Sequence, residues 1–73
     1  MATSQVNYHF GNILRKQRET RRMSQEEFAE KCGISRAYYG RLERGEHSIT
    51  LDLCDRISGF LGIELFELFI DMP

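Results

Sequence analysis

Within the seven residues Ser35 to Arg41, SRAYYGR, two guanidinium groups, a small hydroxyl, a methyl and two phenols stand close together. A guanidinium is a flat fork of donors, and it matches two neighbouring acceptors such as guanine O6 and N7 or a pair of phosphate oxygens. This is recognition chemistry. Bond-making chemistry has no comparable constellation: His9 and His47 lack a partnered acid or nucleophile nearby, so neither is expected to be catalytic. Cys32 and Cys54 lie 22 positions apart without a second Cys or His at ligand spacing, which argues against zinc and for two small buried hydrophobes in a reducing compartment. Tyr38 and Tyr39 do not form a stacking platform for single-stranded bases, because adjacent helical residues point about 100° apart. Tyr39 is expected in the core and Tyr38 outside.

Such a face needs a rigid carrier, and the flanking pattern supplies one. Ser24 followed by Glu27 has the capping-box spacing and predicts a helix that buries Phe28, Ala29 and Cys32 and stops at Gly33. Ser35 is a good N-cap for the next helix, which ends at Gly45, buries Tyr39 and Leu42, and leaves Arg36, Ala37, Tyr38, Gly40 and Arg41 outward. Ahead of this pair, Phe10, Ile13 and Leu14 share one face of a first helix starting near Tyr8 or His9 and ending at Thr20. Residues 1–7 are polar and unpatterned and read as a flexible N-terminal arm. Thr50 caps a fourth helix with Leu51, Cys54, Ile57 and Leu61 inward, closed by Gly62. Ile63 to Ile70 reads as a short final helix. Two helices joined by a glycine turn, the second with a basic face of short residues, meet the needs of a reader of the DNA major groove.

From Met23 to Gly45, MSQEEFAEKCGISRAYYGRLERG resembles the helix-turn-helix of the Cro/repressor-type (XRE) family. The resemblance includes the Ser-Gln opening, Ala29, Gly33 and the ERG ending. With the downstream TLDLCDRISGFLGI it covers roughly residues 10–69, and the short-tailed arrangement is similar to small controller proteins of restriction-modification systems. It implies an all-α, five-helix repressor-like domain over residues 8–73, with helices 2 and 3 as the helix-turn-helix. It also implies that Ser35, Arg36, Ala37, Tyr38 and Arg41 meet base edges. Gln25 would meet a phosphate at the start of the second helix, with Arg44, His47, Ser48, Arg15 and Arg22 as phosphate contacts around the footprint. Arg18 and Glu43 match positions that form an ion pair in relatives. Lys31, Arg21 and Arg56 are expected in solvent.

The net charge of -1 hides a division. Up to Arg44 nine basic residues face five acidic ones, leaving +4; from Gly45 onward one basic residue faces six acidic ones, leaving -5. The basic part carries the expected DNA face. At 73 residues the chain is about half an average domain and too short for an enzyme with a deep cleft or for a separate effector domain, so no cofactor and no small-molecule effector are expected. No apolar run suits a membrane span and no signal-peptide core is present, so cytoplasmic residence is expected. One module reads too few base pairs for specificity, and the family resemblance implies a twofold homodimer on a pseudo-palindromic operator. The apolar excess of residues 60–73 is its expected interface: Phe60, Phe66, Phe69 and Ile70 face the partner, while Ile63, Leu65 and Leu68 close the core. The competing reading is an antitoxin-like or partner-binding module of the same fold, working mainly through protein contact.

Overall fold

The structure, a computed structural model, describes residues 2–70, with side chains from Gln5 onward. Four helices and a final 3-10 turn make up the described chain: α1 (Ala2–Thr20), α2 (Gln25–Cys32), α3 (Arg36–Glu43), α4 (Leu51–Leu61) and the 3-10 turn Leu65–Phe69. The start of each middle helix follows from a capping hydroxyl. Ser24 Oγ accepts the Glu27 amide at 3.0 Å while Glu27 returns a carboxylate to the Ser24 amide at 2.8 Å. Ser35 Oγ accepts from the Tyr38 amide at 3.1 Å, and Thr50 Oγ1 from the Leu53 amide at 3.1 Å. The helix ends follow from left-handed residues. At Gly33 (φ 74°) the turn lets the Ile34 amide reach back to the Ala29 carbonyl at 3.1 Å, so that only Gly33, Ile34 and Ser35 stand between α2 and α3. After α1 the left-handed place is taken by Arg22 (φ 55°), a conformation uncommon outside glycine.

The core forms where α1, α2, α3, α4 and the 3-10 turn meet. Phe28 is fully buried between Tyr39 and Phe60, each 5.1 Å away between ring centroids, and Leu14, Cys32, Ile57 and Leu68 are also fully buried. Cys32 and Cys54 are free thiols inside this core. Burial pushes the Cys32 thiol up to about 11, far from the thiolate needed for reactivity at neutral pH. Gly11 carries the closest helix contact: a Cβ there would sit 2.4 Å from the Glu43 carbonyl oxygen and 2.6 Å from that of Leu42. The missing side chain lets the end of α3 lie directly on α1.

Four elements differ from the sequence expectation. Residues 2–7, read as an arm, are the first turns of α1, which starts at Ala2 rather than at Tyr8 or His9. They are helical because the α3–α4 loop lies on them: Gly45 (φ 76°) presses against the Tyr8 backbone, and Asn7 Nδ2 donates to Ser48 Oγ at 3.4 Å. Leu51, expected inward, is 74% exposed, and α4 instead buries Leu53, Cys54, Ile57 and Ser58. At 3.6 residues per turn Leu51 lies about 90° from the centre of that stripe, and it belongs to the first turn. Gly40, expected outward, is buried. The last segment is a 3-10 turn rather than an α-helix, with the Glu64 amide donating to Glu67 Oε2 at 3.1 Å.

Candidate nucleic-acid interface

α3 has one anchored face and one open face. Tyr39, Leu42 and Glu43 are buried, while Ser35, Arg36, Ala37 and Arg41 are exposed together. Arg36 makes no hydrogen bond or ion pair among the described residues. Tyr38 stands between the two faces: half-buried against the core, its ring lies 5.6 Å from that of His47 in the following loop. Of the α3 residues expected at base edges, Ser35, Arg36, Ala37 and Arg41 are each exposed, and Tyr38 is half-buried rather than fully outward.

The anchor is a single carboxylate. Glu43, 2% exposed, receives Arg18 through two bonds, Nε to Oε2 at 2.7 Å and Nη2 to Oε1 at 3.2 Å. Gln25 Nε2 donates to Oε1 at 3.0 Å, the Tyr39 hydroxyl donates to Oε2, and Arg15 Nε stands 3.7 Å from Oε1. Arg18 also donates to the Met23 carbonyl at 2.9 Å, so α1 holds the turn before α2 as well. Burial alone would raise the Glu43 carboxyl, but the bonds from Arg18, Tyr39 and Gln25 outweigh it and hold the group below its ordinary value. Burial, followed by the bond to Glu43, drives the Tyr39 phenol well above its ordinary value, so it remains a donor. Three helices therefore meet at one ionised group, and the angle of α3 to α2 is fixed by hydrogen bonds with preferred directions. The expected Arg18–Glu43 pair is part of this larger set. The role of Gln25 in it has no local sequence signature, since Gln25 lies 18 positions from Glu43, whereas Tyr39 and Glu43 stand at the four-residue spacing of one helix face.

Gln25, expected to serve a phosphate, has one amide proton committed inside the protein; the other remains available. Around the rim, Arg44 is gripped by Glu46, Nε to Oε2 at 2.8 Å and Nη2 to Oε1 at 3.3 Å, and Ser48 is joined to Asn7. Arg15, on α1, and Arg22, just after it, are exposed. Arg56 and Arg21 are exposed, as expected, and each also holds a partner: Arg56 Nη1 caps the Cys32 carbonyl at 2.9 Å, and Arg21 Nη1 reaches Gln17 Oε1 at 2.7 Å. Of the expected interface residues, Phe60 packs on Phe28 and Phe69 on Phe10 at 5.5 Å, so both serve the core. Phe66 and Ile70 are 64% and 65% exposed, and Leu65, expected to close the core, is 37% exposed. Leu68 is fully buried, and Phe66, two residues before it at three residues per turn, lies about 120° away from it. Among the described residues, no group of three or more His, Cys, Asp or Glu is placed to hold a metal ion, and no helix is long and apolar enough to cross a membrane.

A short helix pinned by its C-terminal end, with its N-terminal face open and another helix crossing behind it, defines a helix-turn-helix DNA-binding protein. Comparison with known proteins gives the family. The helix-turn-helix family model HTH_3 matches residues 14–68, and the chain belongs to this (XRE) family of non-enzymatic, DNA-binding transcriptional regulators. It is 40% identical over 68 residues to control protein C.MunI of a Mycoplasma species, covering 92% of each chain. It is 35% identical over 63 residues to control protein C.BamHI of Bacillus amyloliquefaciens, covering 85% of this chain and 78% of that one. The crystal structure of the restriction-modification controller protein C.AhdI from Aeromonas hydrophila superposes with a TM-score of 0.83 at 35% identity, covering 90% of this chain and 96% of that one.

Proposed function

We propose that this regulator binds a pseudo-palindromic operator as a homodimer and controls the genes of a restriction-modification system. The observation that carries the reading is the open face of α3, where Ser35, Arg36, Ala37 and Arg41 are exposed together and Arg36 has no partner among the described residues. Arg36, in the first turn, pairs with guanine O6 and N7, a contact worth about 1 to 3 kcal/mol of discrimination. Ala37 lies against a thymine methyl, Ser35 and Arg41 meet neighbouring base edges, and Tyr38 packs at the groove wall. The free proton of Gln25, with the first amides of α2, meets a phosphate, and Arg44, His47, Ser48, Arg15 and Arg22 flank it. Similarity to the control proteins and to C.AhdI supports the restriction-modification assignment. Phe66 and Ile70, exposed beside Leu65, supply the contact between copies, so regulation follows protein concentration through the monomer–dimer equilibrium.

Selection of bound sequences from random duplexes tests this directly. The expected product is two related half-sites centred about 34 Å apart, roughly ten base pairs. Arg36→Ala should relax preference at one base pair per half-site, while Gln25→Ala should weaken all sequences alike. An absence of duplex affinity at low salt would refute the reading and favour a protein-binding module.

A further inference from the structure

We propose that Glu46 is a built-in counter-charge that occupies Arg44 in place of a DNA phosphate and thereby sets how weakly the protein holds DNA of any sequence. The proposal rests on the DNA-binding reading above and goes beyond it, because Glu46 is an acid held beside the arginines at the end of the recognition helix. Its two carboxylate oxygens take the Arg44 guanidinium side-on, at 2.8 and 3.3 Å, in the two-bond geometry that a phosphate would use. Both side chains are about half exposed, at 54% and 52%, so the pair is open to exchange with a ligand in solution.

The local fold builds this arrangement. Arg44 follows α3 directly, and Gly45 with φ 76° turns the chain so that the Glu46 amide donates back to the Arg41 carbonyl at 2.9 Å. That bond fixes Glu46 beside the end of the recognition helix. Gly40 supplies the space: a Cβ on it would stand 3.2 Å from Arg44 Nη1 and 3.7 Å from Gln25 Oε1. The Arg44 guanidinium therefore lies back over α3 towards the start of α2, where a phosphate is expected. Glu46 is also within the electrostatic reach of Arg41, so it offsets a second arginine of the same rim.

A phosphate that takes Arg44 must displace Glu46, and the exchange replaces one ion pair by another. Its net gain is small, and phosphate contacts carry no base information. Neutralising Glu46 should therefore strengthen binding to all duplexes by the same factor. An exposed pair of this kind corresponds to a gain of about two- to fivefold per bound protomer, with a salt dependence steeper by about 0.9 per protomer in log–log slope.

The test measures affinity by fluorescence anisotropy for a random-sequence duplex of about thirty base pairs, and for the sequence recovered by selection, over a salt series. Four proteins are compared: wild type, Glu46→Gln, Arg44→Ala and the double variant. The proposal expects Glu46→Gln to tighten both duplexes by an equal factor with the steeper slope, and expects most of that gain to vanish in the Arg44→Ala background. An unchanged affinity in Glu46→Gln while wild type binds would overturn this proposal and leave the DNA-binding reading intact. So would a gain equally large without Arg44, which would mean bulk charge acting alone. Failure of the wild-type protein to bind any duplex would overturn both.

Discussion

Replacing Glu43 with alanine removes the one acceptor on which Arg18, Gln25 and Tyr39 all converge. Breaking a buried ion pair by deleting one partner costs about 3 to 5 kcal/mol, because the remaining charge stays away from water without compensation. The Arg18 side chain is 15% exposed, which admits some water and points to the lower end, about 3 kcal/mol. A chain of this length has a total stability on the order of 4 to 11 kcal/mol, so the loss is a large fraction of it. With a urea slope of roughly 1 kcal/mol/M for a small protein, the midpoint should fall by about 3 M. Urea denaturation followed by circular dichroism, at one fixed protein concentration, measures this. A companion variant separates charge from packing: Arg18→Met with Glu43→Leu removes both charges and should be clearly more stable than Glu43→Ala alone. A loss below about 1 kcal/mol in Glu43→Ala, or a double variant as unstable as the single one, would refute the view that this carboxylate holds the three helices together.

Acid should act through the same group. The folded Glu43 carboxyl lies below its ordinary value of 4.5, so its contribution is fully present above that pH and is lost as pH falls through the lower folded value. Glu43→Gln should be less stable than wild type at pH 7, with the difference narrowing below about pH 4.5 in thermal melts. Two glycines should respond with opposite signs. Gly59 has nothing within 4 Å of an added Cβ, so Gly59→Ala should stabilise α4 by about 0.5 to 1 kcal/mol; Gly11→Ala would meet backbone at 2.4 Å and should cost about 1 to 3 kcal/mol despite better helix propensity. At the tail, Phe66→Asp changes a side chain that is 64% exposed. Sedimentation equilibrium should show a weakened dimer with little change in monomer melting, and an unaltered association constant would move the interface elsewhere.

The parts of the fold visible in the sequence are those set by short-range rules. Ser24, Ser35 and Thr50 as caps, Gly33 and Gly62 as stops, and Phe28, Cys32, Tyr39 and Leu42 as buried residues all follow from spacing within one or two turns. What spacing could not show is where separate elements touch. Residues 2–7 carry no apolar stripe, yet they are helical because the loop after α3 rests on Asn7 and Tyr8. Gly11 did leave a signal, since a glycine inside a strong helical pattern costs about 1 kcal/mol against alanine and calls for a packing reason. Leu51 misled because a three-residue step to Cys54 places it only at the margin of the buried face. Gln25 was legible as a polar residue at a helix start, but its bond to Glu43 depends on the crossing of α2 and α3.

The same distinction governs the charges. Read as a list, ten basic residues against eleven acidic ones give a protein with no electrostatic case for DNA. Read in three dimensions, Asp52 and Asp55 lie on α4 and Glu64 and Glu67 at the 3-10 turn, outside the helix-turn-helix, while arginines of the basic half are held in ion pairs. Arg18 neutralises Glu43 and Arg44 is held by Glu46. The cations left to attract a phosphate backbone are therefore fewer than the composition suggests. Because sequence-independent binding comes from such charges, its strength and salt slope must be modest. In the proposed function, discrimination between sites rests on base contacts from α3, and those depend on the angle at which α3 is held. The buried carboxylate of Glu43, which sets that angle, thus matters to recognition without touching DNA.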